Sequence, residues 1–400
     1  MPPHLQIVVG GGIVGLAIAR ELTLRNPGGR VVVLEARDDV GTEQTGHNSG
    51  VLHAGLYYAP GTLKARLCAR GRAMLADYLV EHALPYDECG KLVVAVSPGE
   101  LGRFEDLAER ATRNGVPGLK RLSPREIVEV EPQAAGLAAL HSPHTGITDF
   151  GAIARAYAAD ITARGGHVIL GARVKGLRQS AFGVSVMTTA GIFRGQQVVL
   201  AAGLQADRVA RLADARDELR IIPFRGEYLR VRAEKQDLVR GMIYPVPDPR
   251  YPFLGVHYTR RIDGSLDLGP NAVLALGRQS YRRSDADLAD LRDMVTWPGF
   301  WRMAGSHWRT GARELAGSMS LARTVAYARQ YVPAIDTADV VRGGCGIRAQ
   351  AVDRDGSLVD DFRIGHEDGI TTVRNAPSPA ATSSLAIAEF VVDQMVAGSP

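Results

Sequence analysis

Three glycines at the spacing Gly10-x-Gly12-x-x-Gly15 are the first residues of the chain whose types and spacing imply chemistry. They follow the apolar, β-branched run from Leu5 to Val9 and open a helical stretch from Leu16 to Arg25. A second apolar run, Val31 to Leu34, ends in Glu35, 20 positions beyond Gly15. Each part has a physical task in holding a dinucleotide. Gly10 permits a tight turn, Gly12 lets the backbone approach a pyrophosphate, and Gly15 lets helix and strand pack closely. The free N–H groups at the start of the helix, around Ile13 and Val14, then face the phosphate charge. Glu35 accepts hydrogen bonds from a ribose hydroxyl, which argues against a 2′-phosphate there. A glycine turn alone is weak evidence in a chain with 45 glycines, but strand, helix, second strand and acid here stand in register. After Glu35 and Arg37 the regular strand–helix alternation of a nicotinamide dehydrogenase stops. The segment to Tyr58, including Asn48-Ser49-Gly50, is rich in glycine and small polar residues wherever backbone would approach a flat ring, and this favours a flavin.

Histidine titrates near neutral pH and is the readiest general base. Of the ten present, His53 lies among small residues in Val51-Leu52-His53-Ala54-Gly55, on the loop expected to approach the cofactor. His257 lies in Gly255-Val256-His257-Tyr258-Thr259, on an expected strand. His47, His141 and His144 are secondary, since His141-Ser142-Pro143-His144 reads as a turn. Arginine grips a carboxylate with a planar fork. Arg225 enters a strand, Lys91 starts another, and Arg348 follows the glycine-rich 343–346 turn. Tyr258 and Thr259 offer hydroxyl donors.

The elements that must position these residues fall into two interleaved sets. Helices are expected over 61–81, 147–164 and 385–395, with Thr382 to Ser384 capping the last. A strand is expected over 167–170, Val174 begins another strand region, and the run from Val198 to Leu200, ending in small residues through Ala202 and Gly203, reads as a buried strand returning to the nucleotide. Alternating runs at 91–96, 227–231 and 265–268 predict an antiparallel sheet. The reading is an α/β (α+β) chain: a discontinuous Rossmann-like FAD-binding domain over 1–80, 145–210 and 340–400, and an interleaved antiparallel-sheet substrate domain over 81–144 and 211–339.

The run from His47 to Cys68, with Cys89-Gly90-Lys91, resembles the L-2-hydroxyglutarate oxidase or dehydrogenase group within the D-amino-acid-oxidase superfamily of flavoenzymes. Two later stretches carry the same resemblance: Pro252 to Leu276, with His257-Tyr258-Thr259-Arg260 and Gly269-Pro270-Asn271-Ala272, and Gly346-Ile347-Arg348-Ala349-Gln350 with Asn375 to Ser384. The resemblance spans nearly the whole chain. It implies FAD, a small dicarboxylate 2-hydroxy acid substrate lying between sheet and isoalloxazine ring, hydride transfer from C2 to flavin N5, and a quinone or oxygen as final acceptor. It places Gly346, Arg348, Ser383 and Ser384 beside the flavin, where the helix N-terminus stabilises negative charge. For the histidines two assignments stand: His257 as base with His53 orienting on the flavin side, or the reverse. A related amine oxidase acting on glycine, sarcosine or a D-amino acid is the main alternative, and a flavin-binding module without turnover is the rival from another class.

Composition limits the remainder. Forty-seven basic against 43 acidic residues, without like-charge runs, give no nucleic-acid signature. Three cysteines without CxxC spacing predict neither a disulfide framework nor a metal site and fit a reducing cytoplasm. The first apolar run begins at Leu5, which leaves no room for a leader before it, and no run spans a bilayer. All three tryptophans, Trp297, Trp301 and Trp308, fall within twelve residues beside Arg302, His307, Arg309 and Arg313. That pattern suits either core packing or peripheral contact with the inner face of the cytoplasmic membrane.

Overall fold

In the computed structural model, which describes residues 5–213, 219–249 and 254–397, Leu5–Val9 is a central strand because its apolar residues are buried on both faces. Val8 packs towards the helices Ile13–Arg25, Phe150–Ala163 and Ser384–Ala397. Ile7 and Val9 pack towards a hairpin sheet built from Val174–Ser180, Gly183–Thr188 and Gly191–Gly195. Across the first sheet the order is Arg363–Glu367, Ile370–Asn375, Gln197–Leu200, Leu5–Val9, Arg30–Leu34 and His167–Ile169. All of these pairs are parallel except the first. At the carboxyl end of Leu5–Val9, Gly10 turns with φ +112°, and a Cβ there would lie 2.3 Å from the Ala201 carbonyl oxygen. A Cβ on Gly15 would lie 2.1 Å from the Gly10 oxygen, so the close packing of helix on strand requires both glycines.

The second sheet runs in the order Val273–Leu274, Leu219–Val231, Leu266–Gly269, His257–Arg260, Met242–Pro245, Lys91–Ala95, Ala138–Ser142 and Lys120–Leu122, with Val340–Asp353 paired along Leu219–Val231. Its ladders are antiparallel apart from Met242–Pro245 with Lys91–Ala95. These two strands are joined through most of the chain between them, so no hairpin imposes opposite directions. A small sheet of Val51–Leu52, Gly146–Thr148 and Tyr86–Asp87 ties the two halves.

Hydrogen bonding divides the segment 340–400: Val340–Asp353 belongs to the second sheet, whereas Arg363–Glu367, Ile370–Asn375 and the helix Ser384–Ala397 belong to the first. The helix expected from 147 begins only at Phe150. Ile147 belongs to a strand, and the Asp149 side chain accepts hydrogen bonds from the Gly151 and Ala152 N–H groups. Helices Leu288–Val295, Pro298–Met319 and Leu321–Ala328 follow the second sheet. No helix among the described residues is long and apolar enough to cross a membrane.

Candidate active site

At the nucleotide end, the Glu35 carboxylate accepts hydrogen bonds from the N–H groups of Gly11 (2.6 Å) and Arg37 (2.7 Å). No side chain caps helix Ile13–Arg25 at Gly12, while the Ile13 N–H donates to Thr45 Oγ1 at 3.0 Å. An uncapped helix N-terminus over a glycine floor, with a carboxylate one strand away, has the donor set a dinucleotide requires. Gly10, Gly12, Ile13, Val14 and Gly15 therefore meet Glu35, Arg37, Ala202 and Gly203 at one rim. Val174 packs with Ala202 below it.

Asn48 shapes the next turn. Its Nδ2 donates to Thr45 O (2.7 Å), its Oδ1 accepts from the Gly50 N–H (2.8 Å), and its carbonyl accepts from Arg261 Nη1 (2.6 Å). Ser49 stands between them. Gly346 packs against the His47 carbonyl, and the His47 ring stacks on Tyr281 at 4.3 Å. Ser383 and Ser384 are fully buried at the start of the last helix. Ser384 Oγ lies 3.3 Å from the Tyr157 hydroxyl, and Ser383 Oγ has no hydrogen-bond partner among the described residues. Orphaned polar atoms are rare in protein interiors, so the Ser383 hydroxyl is consistent with a group that binds here.

Alternation along strands sorts the candidates for catalysis. His257 and Thr259 face the same side of the second sheet as Lys91 and Tyr244, towards Val51, Ala54 and the loop that carries His53. His257 Nδ1 lies 2.7 Å from the Gly255 carbonyl, which can only accept, so Nδ1 carries the proton and Nε2 keeps the lone pair. Burial, together with the positive charges of Lys91 and Arg348, pushes the His257 pKa down to about 3. His53 is likewise held well below its ordinary value, by burial and then by Lys91, His257, Lys64 and Arg348. Its backbone is fixed on both sides: the N–H donates to Thr382 Oγ1 (3.1 Å), and the carbonyl accepts from the Cys68 thiol (3.4 Å). Both imidazoles thus lie within electrostatic reach of Lys91 and Arg348.

The same alternation places Tyr258 on the opposite face, where its hydroxyl donates to the Ala328 carbonyl at 3.2 Å. Arg225 shares a strand face with Glu227. It donates to the Glu227 carboxylate (3.1 Å) and the Arg282 carbonyl (3.0 Å), beside a cavity of about 200 Å³ rather than beside the histidines. Of the sequence candidates for carboxylate contact, Lys91, Arg348 and Thr259 therefore stand with His53 and His257, whereas Arg225 and Tyr258 stand apart. His141 is half-buried on the strand next to Lys91–Ala95, and His144 meets Glu88 on the surface at 2.9 Å. Residues 252–253, at the start of the motif around His257, lie outside the described residues. Sequence reading missed Tyr57, Tyr244, Arg261, Thr45 and Thr382. The period-2 pattern of the Met242–Pro245 strand was the available signal for Tyr244.

Trp297 is buried, donating from Nε1 to the Val352 carbonyl at 3.1 Å, with Arg220 over its ring. Trp301 and Trp308 are 62% and 63% exposed.

A family model described as "FAD dependent oxidoreductase" (DAO) matches residues 7–394. The chain is 44% identical over 406 aligned positions to the protein named "L-2-hydroxyglutarate dehydrogenase, mitochondrial" of Homo sapiens, covering 97% of this chain and 88% of that one. It is 42% identical to the L-2-hydroxyglutarate dehydrogenase of Indibacter alkaliphilus, with 97% of both chains covered. Among solved structures, L-alpha-glycerophosphate oxidase from Mycoplasma pneumoniae with FAD bound superposes with a TM-score of 0.80 at 21% identity, covering 99% of this chain and 95% of that one. Glycine oxidase from Geobacillus kaustophilus gives 0.75 at 21% identity, covering 99% and 96%.

Proposed function

The chain belongs to the DAO family of FAD dependent oxidoreductases, and from that premise we propose that it oxidises L-2-hydroxyglutarate to 2-oxoglutarate. Bound FAD supplies the acceptor for the hydride that leaves C2. The chain's own residues hold the substrate and handle the proton. His257 receives the hydroxyl proton on Nε2, because Nδ1 is committed to Gly255 and the ring is neutral. The negative charge of a dicarboxylate raises the affinity of that ring for a proton once the substrate is in place. Arg348 and Lys91 supply the positive charge that fixes the carboxylates, and Thr259, fully buried on the same face, supplies a hydroxyl. His53, clamped at both its N–H and its carbonyl, orients the substrate from the flavin side. Thr45, the helix start at Ile13 and Val14, and Glu35 would hold the pyrophosphate and ribose of FAD, and the last helix, opened by Ser383 and Ser384, would face the flavin. The acceptor that takes the electrons onward would be a quinone or oxygen.

The observation that carries this reading is that His257, Thr259, Tyr244 and Lys91 share one face of the second sheet, turned towards the loop that carries His53. Anaerobic addition of L-2-hydroxyglutarate, its D enantiomer and glycine in parallel to the yellow protein tests it. The L-hydroxy acid alone is expected to bleach the flavin absorbance; bleaching by glycine instead would move the chain to amine oxidation.

A further inference from the structure

Lys91 stands almost entirely inside the protein, 1% exposed, and its Nζ has no hydrogen-bond partner among the described residues. The neighbouring Tyr57 hydroxyl is also buried and also lacks a partner. Both polar groups are thus left without a partner, and the ammonium stands among aromatic rings. Nζ sits 4.1 Å from the centroid of the Tyr244 ring and 5.6 Å from that of Tyr57. Leaving buried donors without an acceptor is costly, so the site is built for an acceptor that arrives from outside.

The sheet fixes where that acceptor lies relative to the reaction. The Met242–Pro245 strand, which carries Tyr244, has the Lys91 strand on one side and the His257 strand on the other. The His257 ring packs on Tyr244 with centroids 3.9 Å apart, while the ammonium of Lys91 approaches from the other side. Tyr244 is itself held through its hydroxyl, 3.4 Å from Thr259 Oγ1. The base and the ammonium are thus separated by one ring, a spacing that suits a hydroxyl at one end of a short chain and a carboxylate at the other.

We propose that Lys91 and Tyr57 receive the distal carboxylate of the substrate, with Tyr244 as the spacer that measures its distance from His257, and that Lys91 takes its proton from solvent as that carboxylate arrives. The inference rests on the hydroxy-acid reaction proposed above and adds to it the rule by which diacids are chosen over monoacids. Burial lowers the Lys91 pKa to about 7 in the pocket without substrate. The Cys89 and Cys68 thiols act on it in the opposite, raising direction; His53 and His257 lie within its electrostatic reach, Arg348 acts on the same two imidazoles, and Tyr57 and Tyr244 flank it. No carboxylate is among them, so the substrate brings its own.

The test uses the oxidised, FAD-loaded enzyme and binding of 2-oxoglutarate and of 2-oxovalerate, its monoacid counterpart, followed by the flavin difference spectrum between pH 6 and 9. Wild-type binding of 2-oxoglutarate is expected to weaken about tenfold per pH unit above 7, because each bound molecule needs one proton taken up. Binding of 2-oxovalerate is expected to follow pH far less. Calorimetry in buffers of different ionisation enthalpy should read an uptake approaching one proton at pH 8 that fades at pH 6. Lys91→Met is expected to weaken 2-oxoglutarate about a hundredfold with little effect on 2-oxovalerate, and Tyr57→Phe to weaken it about tenfold. Lys91→Arg should keep the preference for the diacid but lose its pH dependence, because guanidinium does not titrate in this range. A Lys91→Met protein that retains the diacid preference overturns the inference, as does wild-type binding without proton uptake. If Lys91→Met does not hold FAD, the wild-type proton count and the Arg variant still decide. Should L-2-hydroxyglutarate fail to reduce the wild-type flavin at all, it is the reaction that is wrong rather than the anchor.

Discussion

His257 has one nitrogen tied to the backbone and the other free, which makes its removal a direct measure of the base. His257→Ala is expected to retain FAD and fold while losing about 10²–10⁴-fold in turnover, the range typical of a missing general base. Added imidazole should restore part of that loss, because the vacated space lies on the face of Tyr244 where the ring now packs. Loss of the flavin in this variant, or turnover close to wild type, would make His257 structural and transfer the base to His53. Residues of this kind were legible in the sequence through their neighbours: small residues around His53 and a β-run around His257 point to a loop and a strand near a cofactor. What the sequence does not carry is which neighbour on a strand shares the face of the histidine when strand limits are uncertain by a residue or two. Tyr258 is adjacent to His257 and faces away from it, while Tyr244, on another strand, lies against it. Arg225 looked like a carboxylate fork by type, but Glu227, two positions on and so on the same face, already occupies it.

Glu227 shows how the elements around the site are held in place. Its carboxylate accepts hydrogen bonds from Arg283 (2.6 and 2.9 Å), Ser318 (2.6 Å) and Asn271 (3.2 Å) as well as from Arg225. One side chain therefore binds strand Leu219–Val231 to the Pro298–Met319 helix and to the turn after Leu266–Gly269. These bonds outweigh the cost of burial and hold its pKa down at about 2, below the ordinary 4.5. The folded form thus keeps Glu227 charged where the unfolded chain would bind a proton. The stability it contributes is complete above pH 4.5 and is lost as pH falls from there towards 2. Glu227→Gln is expected to lower the melting temperature at pH 7 and to flatten its decline between pH 4.5 and 3; a melting curve with the wild-type pH dependence would remove Glu227 from this role. Element types were legible from apolar periodicity, and the nucleotide turn was legible down to single glycines. The partition of Val340–Asp353 was not. Its glycine-rich start resembles a cofactor loop, whereas its hydrogen bonds run with Leu219–Val231 over most of both strands, a pairing set by residues more than 100 positions apart.

At the scale of the molecule, the question is where electrons go after the flavin is reduced, and the surface bears on it. Of the three clustered tryptophans, Trp297 completes the interior beneath Val340–Asp353 and is removed from any outer role. Trp301 and Trp308, seven positions apart on Pro298–Met319, remain more than half exposed, with Arg302 and Arg309 beside them and Arg309 over the Trp308 ring at 5.4 Å. Leu288, at the start of the preceding helix, is also exposed. Indole and guanidinium together suit the headgroup layer, where the ring enters the acyl boundary and the charge meets anionic lipid. An acceptor dissolved in the bilayer would then be reached without a spanning helix, whereas oxygen requires no such surface. The FAD-loaded protein is accordingly expected to pellet with vesicles containing anionic lipid at low salt and to be released as salt screens the arginines. Replacing Trp301 and Trp308 together by Ser should shift the protein to the supernatant while flavin bleaching by L-2-hydroxyglutarate stays as in the wild type, since both side chains are exposed to solvent whereas His257 is buried. If the double variant pellets as the wild type does, or if neither protein pellets at low salt, the helix is not a membrane contact, and a soluble acceptor or oxygen becomes the partner to test.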